Sequence, residues 1–249
     1  MPQKRRKKIL KSRFEKRTPI FSFYQDESPE SLEFQRLFSK LKNVFADSVV
    51  RNLTVTSSVM GEGKSTTSSL LAITISKYQP TRTILIDFDL RNPKLHLLFD
   101  LERDGGVGEI LEGKRPAKAC FKKTPIPNLK VLTSGSISIP YSEAFSPSRL
   151  RQFFDEIRFY FDTIIIDTPP VIPVTDSLIL SAETEGVLFV IRAGKTPREV
   201  VKRACTMVQD AGVKIVGCVV NDVEEVLPYY YNYDYYGYEY QSGKGKTGK

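Results

Sequence analysis

The chain has one histidine, no tryptophan, three cysteines and three methionines in 249 residues. With His96 alone, neither a Ser/His/Asp triad nor a histidine-based zinc site has the parts it needs, and His96 reads as structural. Cys120, Cys205 and Cys218 stand singly, without metal-ligand spacing, and read as reduced thiols of an intracellular chain. No apolar run reaches the ~18–20 residues of a membrane span. The basic N-terminus lacks the apolar stretch of a signal peptide, so a cytoplasmic chain is expected. Charge of one sign is also missing from most of the sequence. The net charge is +8, yet residues 1–17 hold nine Lys/Arg against Glu15, and the rest holds 28 basic and 28 acidic residues. The basicity therefore belongs to an arm. That arm can be a solvated tail, or a strap to anionic lipid on the inner membrane face at about 1 kcal/mol per basic residue. Nucleic acid is the third option, but the neutral body offers no matching surface or motif, and no nucleic-acid partner is expected.

What is present is organised around Thr54 to Leu71, TVTSSVMGEGKSTTSSLL. A β-branched run enters a glycine-rich turn and leaves through Lys-Ser-Thr into an apolar segment, which reads as strand, phosphate-binding loop, helix. Gly61 and Gly63 permit the tight turn that aims backbone N–H groups at phosphate oxygens, and the helix starting near Lys64 adds its positive end. Lys64 can reach the β- and γ-phosphates, and the Ser65 hydroxyl can ligate Mg²⁺. Ser58 stands where the usual pattern has glycine. The expected nucleotide-contacting stretch is Ser58, Gly61, Glu62, Gly63, Lys64, Ser65 and Thr66.

Two later apolar runs end in carboxylates. Thr83 to Asp87, TILID, leads into Phe88-Asp89-Leu90-Arg91, and Asp162 to Asp167, DTIIID, leads into Thr168-Pro169-Pro170. Carboxylates at the C-terminal ends of buried parallel strands beside a phosphate loop are where Mg²⁺ and a general base are placed. Leu129–Leu132, Val187–Ile191 and Ile215–Val220 read as further strands. Helices are expected from Ser28-Pro29, Ser146-Pro147 and Thr196-Pro197-Arg198-Glu199, the last as a capping box with proline at the first helical position. A short helical piece is expected around Val107–Leu111. Strands alternating with helices over short connections predict a doubly wound, mostly parallel α/β sheet with helices on both faces. The organisation expected is a basic arm (1–27), a P-loop domain (28–227) and a tail (228–249). In that tail Tyr229, Tyr230, Tyr231, Tyr233, Tyr235, Tyr236, Tyr238 and Tyr240 make up eight of the twelve tyrosines, followed by a flexible Gly/Lys-rich end.

SSVMGEGKS, ILIDFDLR, IIIDTPP and the tyrosine cluster together resemble the Walker A, A′ and B motifs and tail of the bacterial tyrosine kinases, deviant-Walker relatives of the MinD and ParA ATPases. Val59 occupies the place of the MinD signature lysine, which the tyrosine kinases also lack. The resemblance implies that Lys64 contacts phosphates, Thr66 touches the α-phosphate, and Ser65, Asp89 and Asp167 hold Mg²⁺. It implies Asp87 as base toward an attacking tyrosine hydroxyl, Asn221 as an adenine contact, and the eight tail tyrosines as phosphoacceptors in trans within a homo-oligomer. Its ring-forming E-x-x-R-x-x-R is incomplete here, with Glu33 and Arg36 present but Ser39 in the last place. It further implies a membrane-embedded polysaccharide co-polymerase or chain-length adaptor as activator, a tyrosine phosphatase as antagonist, and control of capsular or exopolysaccharide export. A different class of reading shares the ATP site. In it the chain is a MinD/ParA-like ATPase switch that positions an export complex, with the tail as a docking segment only.

Overall fold

The computed structural model describes residues 18–45 and 50–223, so the basic arm to Arg17 and the tyrosine cluster lie outside the described residues. Within them, seven strands form one sheet: β1 (Asn52–Ser57), β2 (Thr83–Asp87), β3 (Lys122–Lys123), β4 (Leu129–Leu132), β5 (Thr163–Asp167), β6 (Val187–Arg192) and β7 (Ile215–Asn221), in the order β3-β4-β2-β5-β1-β6-β7. All pairings are parallel except β3 with β4. The antiparallel edge strand is an addition to the expected sheet. It is two lysines long, too short to carry an apolar signal.

The central strands read as unbroken apolar runs because both of their faces are covered. Leu53, Val55, Leu85 and Ile165 point to one side, with Leu71, Ile73 and Ile75 of α2 (Lys64–Tyr78) and Phe38 and Leu41 of α1 (Pro29–Val44). Ile84, Ile86, Ile164 and Ile166 point to the other, against Phe153, Phe154 and Ile157 of α6 (Pro147–Tyr160). A smaller cluster seats Ala204 and Val208 of α8 (Arg198–Asp210) on Val187 and Phe189 of β6. Shorter helices complete the order: α3 (Leu95–Phe99), α4 (Val107–Leu111), α5 (Tyr141–Ala144) and α7 (Asp176–Ser181).

α1 begins as its sequence predicts, with the Ser28 hydroxyl accepting from Ser31 N–H at 3.1 Å and Pro29 in the first turn. α2 is more unusual, since STTSSLLAITIS is buried almost all round. Its hydroxyls are satisfied inside the helix: Ser69 donates to the Ser65 carbonyl (2.6 Å), Thr74 to Leu70 (2.8 Å) and Ser76 to Ala72 (2.9 Å).

Two expectations need correction. Residues 18–27 are not part of the arm. Ile20 and Tyr24 are buried, and the Tyr24 hydroxyl meets Thr74 Oγ1 at 2.9 Å under the ammonium of Lys77. The capping box at Thr196 does not form either. Pro197 takes the N-cap position of α8 with no side-chain cap, because the Thr196 hydroxyl donates instead to Glu62 Oε1 at 2.6 Å.

Candidate functional site

Three strand ends converge. β1 runs between β5 and β6, and β2 lies on the far side of β5. The loop after β1 therefore opens beside the carboxyl ends of β2 and β5, the place where open α/β sheets bind ligands. Gly61 (φ +81°) and Gly63 (φ +98°) both sit in the left-handed region, and Gly63 is the N-cap of α2 without any capping side chain. The first N–H groups of α2 thus face the loop with no cap to satisfy them. A cleft of about 650 Å³ opens there, lined by Gly61, Gly63, Lys64, Ser65, Thr66 and Asp89 among others. Thr18, Met60 and Leu97 form part of its rim.

Lys64 is buried, and its ammonium lies 3.9 Å from Asp89 Oδ2. Asp89 Oδ1 accepts from Asn92 N–H at 3.1 Å. Burial raises the Asp89 pKa, and the Lys64 charge opposes that rise. Asp87 and Asp167 are directly paired in register across β2 and β5, both without exposed surface. Asp87 Oδ2 accepts from Lys94 N–H (3.0 Å) and Leu95 N–H (2.9 Å), and Oδ1 from Asp89 N–H (3.2 Å). Its carboxylate is thereby built into the start of α3. Burial, and then the Asp167 charge, push its pKa up. Asp167 is the opposite case. Both of its oxygens are buried and lack a hydrogen-bond partner. Burial raises its pKa, while Lys64 and the nearby hydroxyls of Ser65 and Ser68 hold it down.

Two buried carboxylate oxygens without donors, beside a lysine and a hydroxyl at a phosphate loop, fit a divalent cation better than they fit a closed protein core. Among the described residues no group of three or more His, Cys, Asp or Glu can cage a metal unaided. Mg²⁺ does not need one, since it is held by one or two carboxylates together with phosphate oxygens and water.

The structure therefore brings Gly61, Gly63, Lys64, Ser65, Thr66 and Asp89 to one cleft, with Asp167 buried behind it beside Lys64 and Ser65. It places other expected residues differently. Ser58 is fully buried with an unpartnered hydroxyl. The Glu62 side chain turns into the protein, where Oε2 accepts from Val59 N–H at 2.8 Å and Oε1 from Thr196. Asn221 Nδ2 donates to the Glu62 carbonyl (3.1 Å) and Oδ1 accepts from Asp222 N–H (2.9 Å), so both ends of that amide are engaged within the chain. Asp87, expected as the base, does not reach the cleft with a free oxygen, whereas Asp89 lines it. Arg91 was passed over in the sequence. Its guanidinium bonds Asp176 at 3.0 Å and lies over the Tyr141 ring at 4.2 Å, fastening the loop after β2 to α5 and α7. Its position two residues after Asp89 was the available signal.

Comparison with known proteins agrees with this geometry. A ParA family model, described as a NUBPL iron-transfer P-loop NTPase, matches residues 48–235. The tyrosine-protein kinase YwqD of Bacillus subtilis is 30% identical over 218 residues, covering 88% of this chain and 91% of that protein. The tyrosine-protein kinase CpsD of Streptococcus agalactiae is 32% identical over 186 residues, covering 74% of this chain and 81% of that protein. The chain belongs to the bacterial tyrosine-protein kinases, within the ParA-like P-loop NTPases. Among solved structures of this kinase family, the chimerical protein CapA2B2 superposes with a TM-score of 0.76 at 30% identity, over 81% of this chain and 88% of that one. The MinD protein of Pyrococcus horikoshii, at 18% identity and TM-score 0.58, shares the fold. A nucleotide-binding phosphate loop is thus common to the sequence, the site and the family.

Proposed function

We propose that the chain transfers the γ-phosphoryl group of ATP to tyrosine hydroxyls of its own C-terminal cluster, Tyr229 to Tyr240, with one subunit's tail entering a neighbour's site. The observation that carries the reading is the pairing of the Lys64–Asp89 ion pair with the unpartnered carboxylate of Asp167 at a glycine-turned phosphate loop. Lys64 and the N–H groups of the α2 start bind the phosphates and neutralise charge that develops as the bridging P–O bond breaks. Ser65 and Asp167 are the residues that would hold Mg²⁺, which when bound would offset the negative charge on the phosphate oxygens that repels the attacking hydroxyl. Tyrosine is protonated at neutral pH, so a proton must leave as its oxygen bonds to phosphorus. Asp89 lines the cleft and has a raised pKa, which suits it to take that proton late. Asp87, behind it, donates nothing to the cleft but holds the Asp89 backbone and the start of α3 in place. Tethering the tyrosines to the enzyme raises their effective concentration, and phosphate accumulating on the cluster weakens packing between subunits by charge repulsion.

The reading extends to a role in regulating capsular or exopolysaccharide export, with a membrane-embedded chain-length adaptor as activator and a tyrosine phosphatase as antagonist. Among the described residues no helix is long and apolar enough to cross a membrane.

The test is phosphosite mapping by mass spectrometry on protein from its native cells, beside a Lys64→Met variant, then repeated with purified protein and Mg·ATP. Phosphate on several of Tyr229 to Tyr240, absent from the variant, is the expected result. An unmodified tail in cells would sink the autokinase reading and favour the ATPase switch.

A further inference from the structure

We infer that Glu62 is a positioning residue, an inward-facing carboxylate that clips the phosphate loop to the carboxyl ends of β6 and β7 and so sets its grip on nucleotide. The inference rests on the nucleotide reading of the cleft. It concerns a residue that no phosphate-loop pattern requires, since the pattern leaves this position open.

The first observation is where the side chain goes. Glu62 sits at the tip of a surface loop between two glycines of positive φ, yet is 1% exposed. A carboxylate taken out of water at such a place is costly unless donors meet it. Three do. Val59 N–H reaches Oε2 at 2.8 Å, closing the loop on itself across three residues. Thr196 Oγ1 reaches Oε1 at 2.6 Å and Arg192 N–H reaches it at 3.3 Å, both from more than a hundred residues away.

The second observation is that the same strand ends hold the loop backbone as well. Asn221 Nδ2 donates to the Glu62 carbonyl at 3.1 Å, and the approach is so close that a Cβ on Gly63 would lie 2.2 Å from that nitrogen. The Arg192 guanidinium touches the Gly61 carbonyl at 3.4 Å while bonding Asp222 at 2.7 and 3.0 Å. Asp222 is followed, within the next seven residues, by the start of the tyrosine cluster. The loop that would grip the phosphates and the root of the segment that would receive one are therefore joined through a single polar network.

The physical need for such a clip lies in the glycines. They give the loop its turn but leave it many conformations to lose. Phosphate N–H donors are effective only when already aimed before the ligand arrives. A buried charge with three fixed donors holds that aim in a way that an apolar side chain of the same size would not, because hydrogen bonds are directional and packing is not.

Glu62→Gln tests this. The amide keeps the size but presents an NH₂ to at least one of the three donors. Expected is about a tenfold weaker affinity for Mg·ADP, as a charge-assisted bond in this setting is lost. The KM for ATP rises by the same factor while kcat changes less than about threefold, and the melting temperature of the nucleotide-free protein stays within a few degrees. Thr196→Val, which leaves the carboxylate in place and removes one donor, is expected to weaken Mg·ADP about threefold, and it decides the matter if Glu62→Gln does not fold. Unchanged Mg·ADP affinity in the variants would overturn the inference. So would a loss of affinity that merely follows a large fall in melting temperature, since that marks a purely structural residue. Mg·ADP affinity is measured without any phosphoryl transfer to the tail, so a failure here is separable from a failure of the autokinase reading.

Discussion

Asp87 and Asp167 face one another in register on β2 and β5, both fully buried, and one of them has three backbone donors while the other has none. Neighbouring carboxylates in the same environment are thus set to different work. Asp87 is a structural acceptor at the start of α3. Asp167 keeps two buried oxygens without a hydrogen-bond partner.

Replacing Asp87 by Asn should therefore damage the fold. The new NH₂ must face at least one backbone N–H, leaving donors opposed in a dry site, which costs about 1–3 kcal/mol. Chemical denaturation would show this as a lower midpoint with an unchanged slope. A midpoint equal to the wild type would argue against the three-donor geometry.

Asp167→Asn should do the reverse. A buried carboxylate without donors carries a desolvation cost that the amide lessens, so the melting temperature is expected at or above that of the wild type. Mg²⁺-dependent phosphoryl transfer is expected to fall by about a hundredfold or more, the scale for losing one pre-aimed electrostatic contact. Thermal melts and a Mg²⁺ titration of the rate check both halves. A destabilised but active variant would contradict the assignment.

Phe88, between Asp87 and Asp89, is an anchor for the loop that carries them. Its ring has no exposed surface, stacks on Phe154 at 5.8 Å and meets Phe153 edge-on at 5.1 Å. Phe88→Ala leaves a cavity beneath both aspartates and should cost about 3–5 kcal/mol. Activity should fall by more than the loss of folded protein, because Asp89 is no longer held. Calorimetry beside specific activity of the folded fraction separates the two effects.

A pH dependence of stability follows from Glu112, at the end of α4. The Lys114 ammonium, then the Ser138 N–H, hold its pKa at about 2, against an ordinary 4.5. A carboxylate depressed in the folded state stabilises it fully above the unfolded value and loses that contribution as pH falls through the folded one. The stability gap between the wild type and Glu112→Gln should therefore be constant above about pH 5 and close between about pH 4.5 and 2. Urea unfolding across that range measures it. A gap that persists at pH 2 would show that the pair with Lys114 and Ser138 contributes through packing alone.

Much of this was legible in the chain. The order of α1, β1, α2, β2, β4, α6, β5, β6, α8 and β7 appears in the sequence as apolar periodicity with proline and glycine at the boundaries. Where it was not legible, the missing information was the far partner. α3 and α7 are five and six residues long, too short to show a helical period. α3 starts where it does because Asp87, seven and eight residues earlier, accepts its first N–H groups. Thr196-Pro197-Arg198-Glu199 has the letters of a capping box, but the Thr196 hydroxyl, instead of accepting from the N–H groups of the helix start, is turned away to donate to the buried carboxylate of Glu62, a charge-assisted bond.

By itself the sequence determined the fold class and the phosphate loop with its lysine and serine, because a turn, a helix start and their side chains are neighbours along the chain and local geometry holds them together. It also placed carboxylates at the ends of two apolar strands. Which of these carboxylates lines the cleft, which is left without a donor and which is consumed, and which way Glu62 faces, only the tertiary structure decided. The order β2-β5-β1-β6-β7 brings residues more than a hundred positions apart within hydrogen-bonding distance, and a buried charge takes its role from the donors that surround it rather than from its place in a motif.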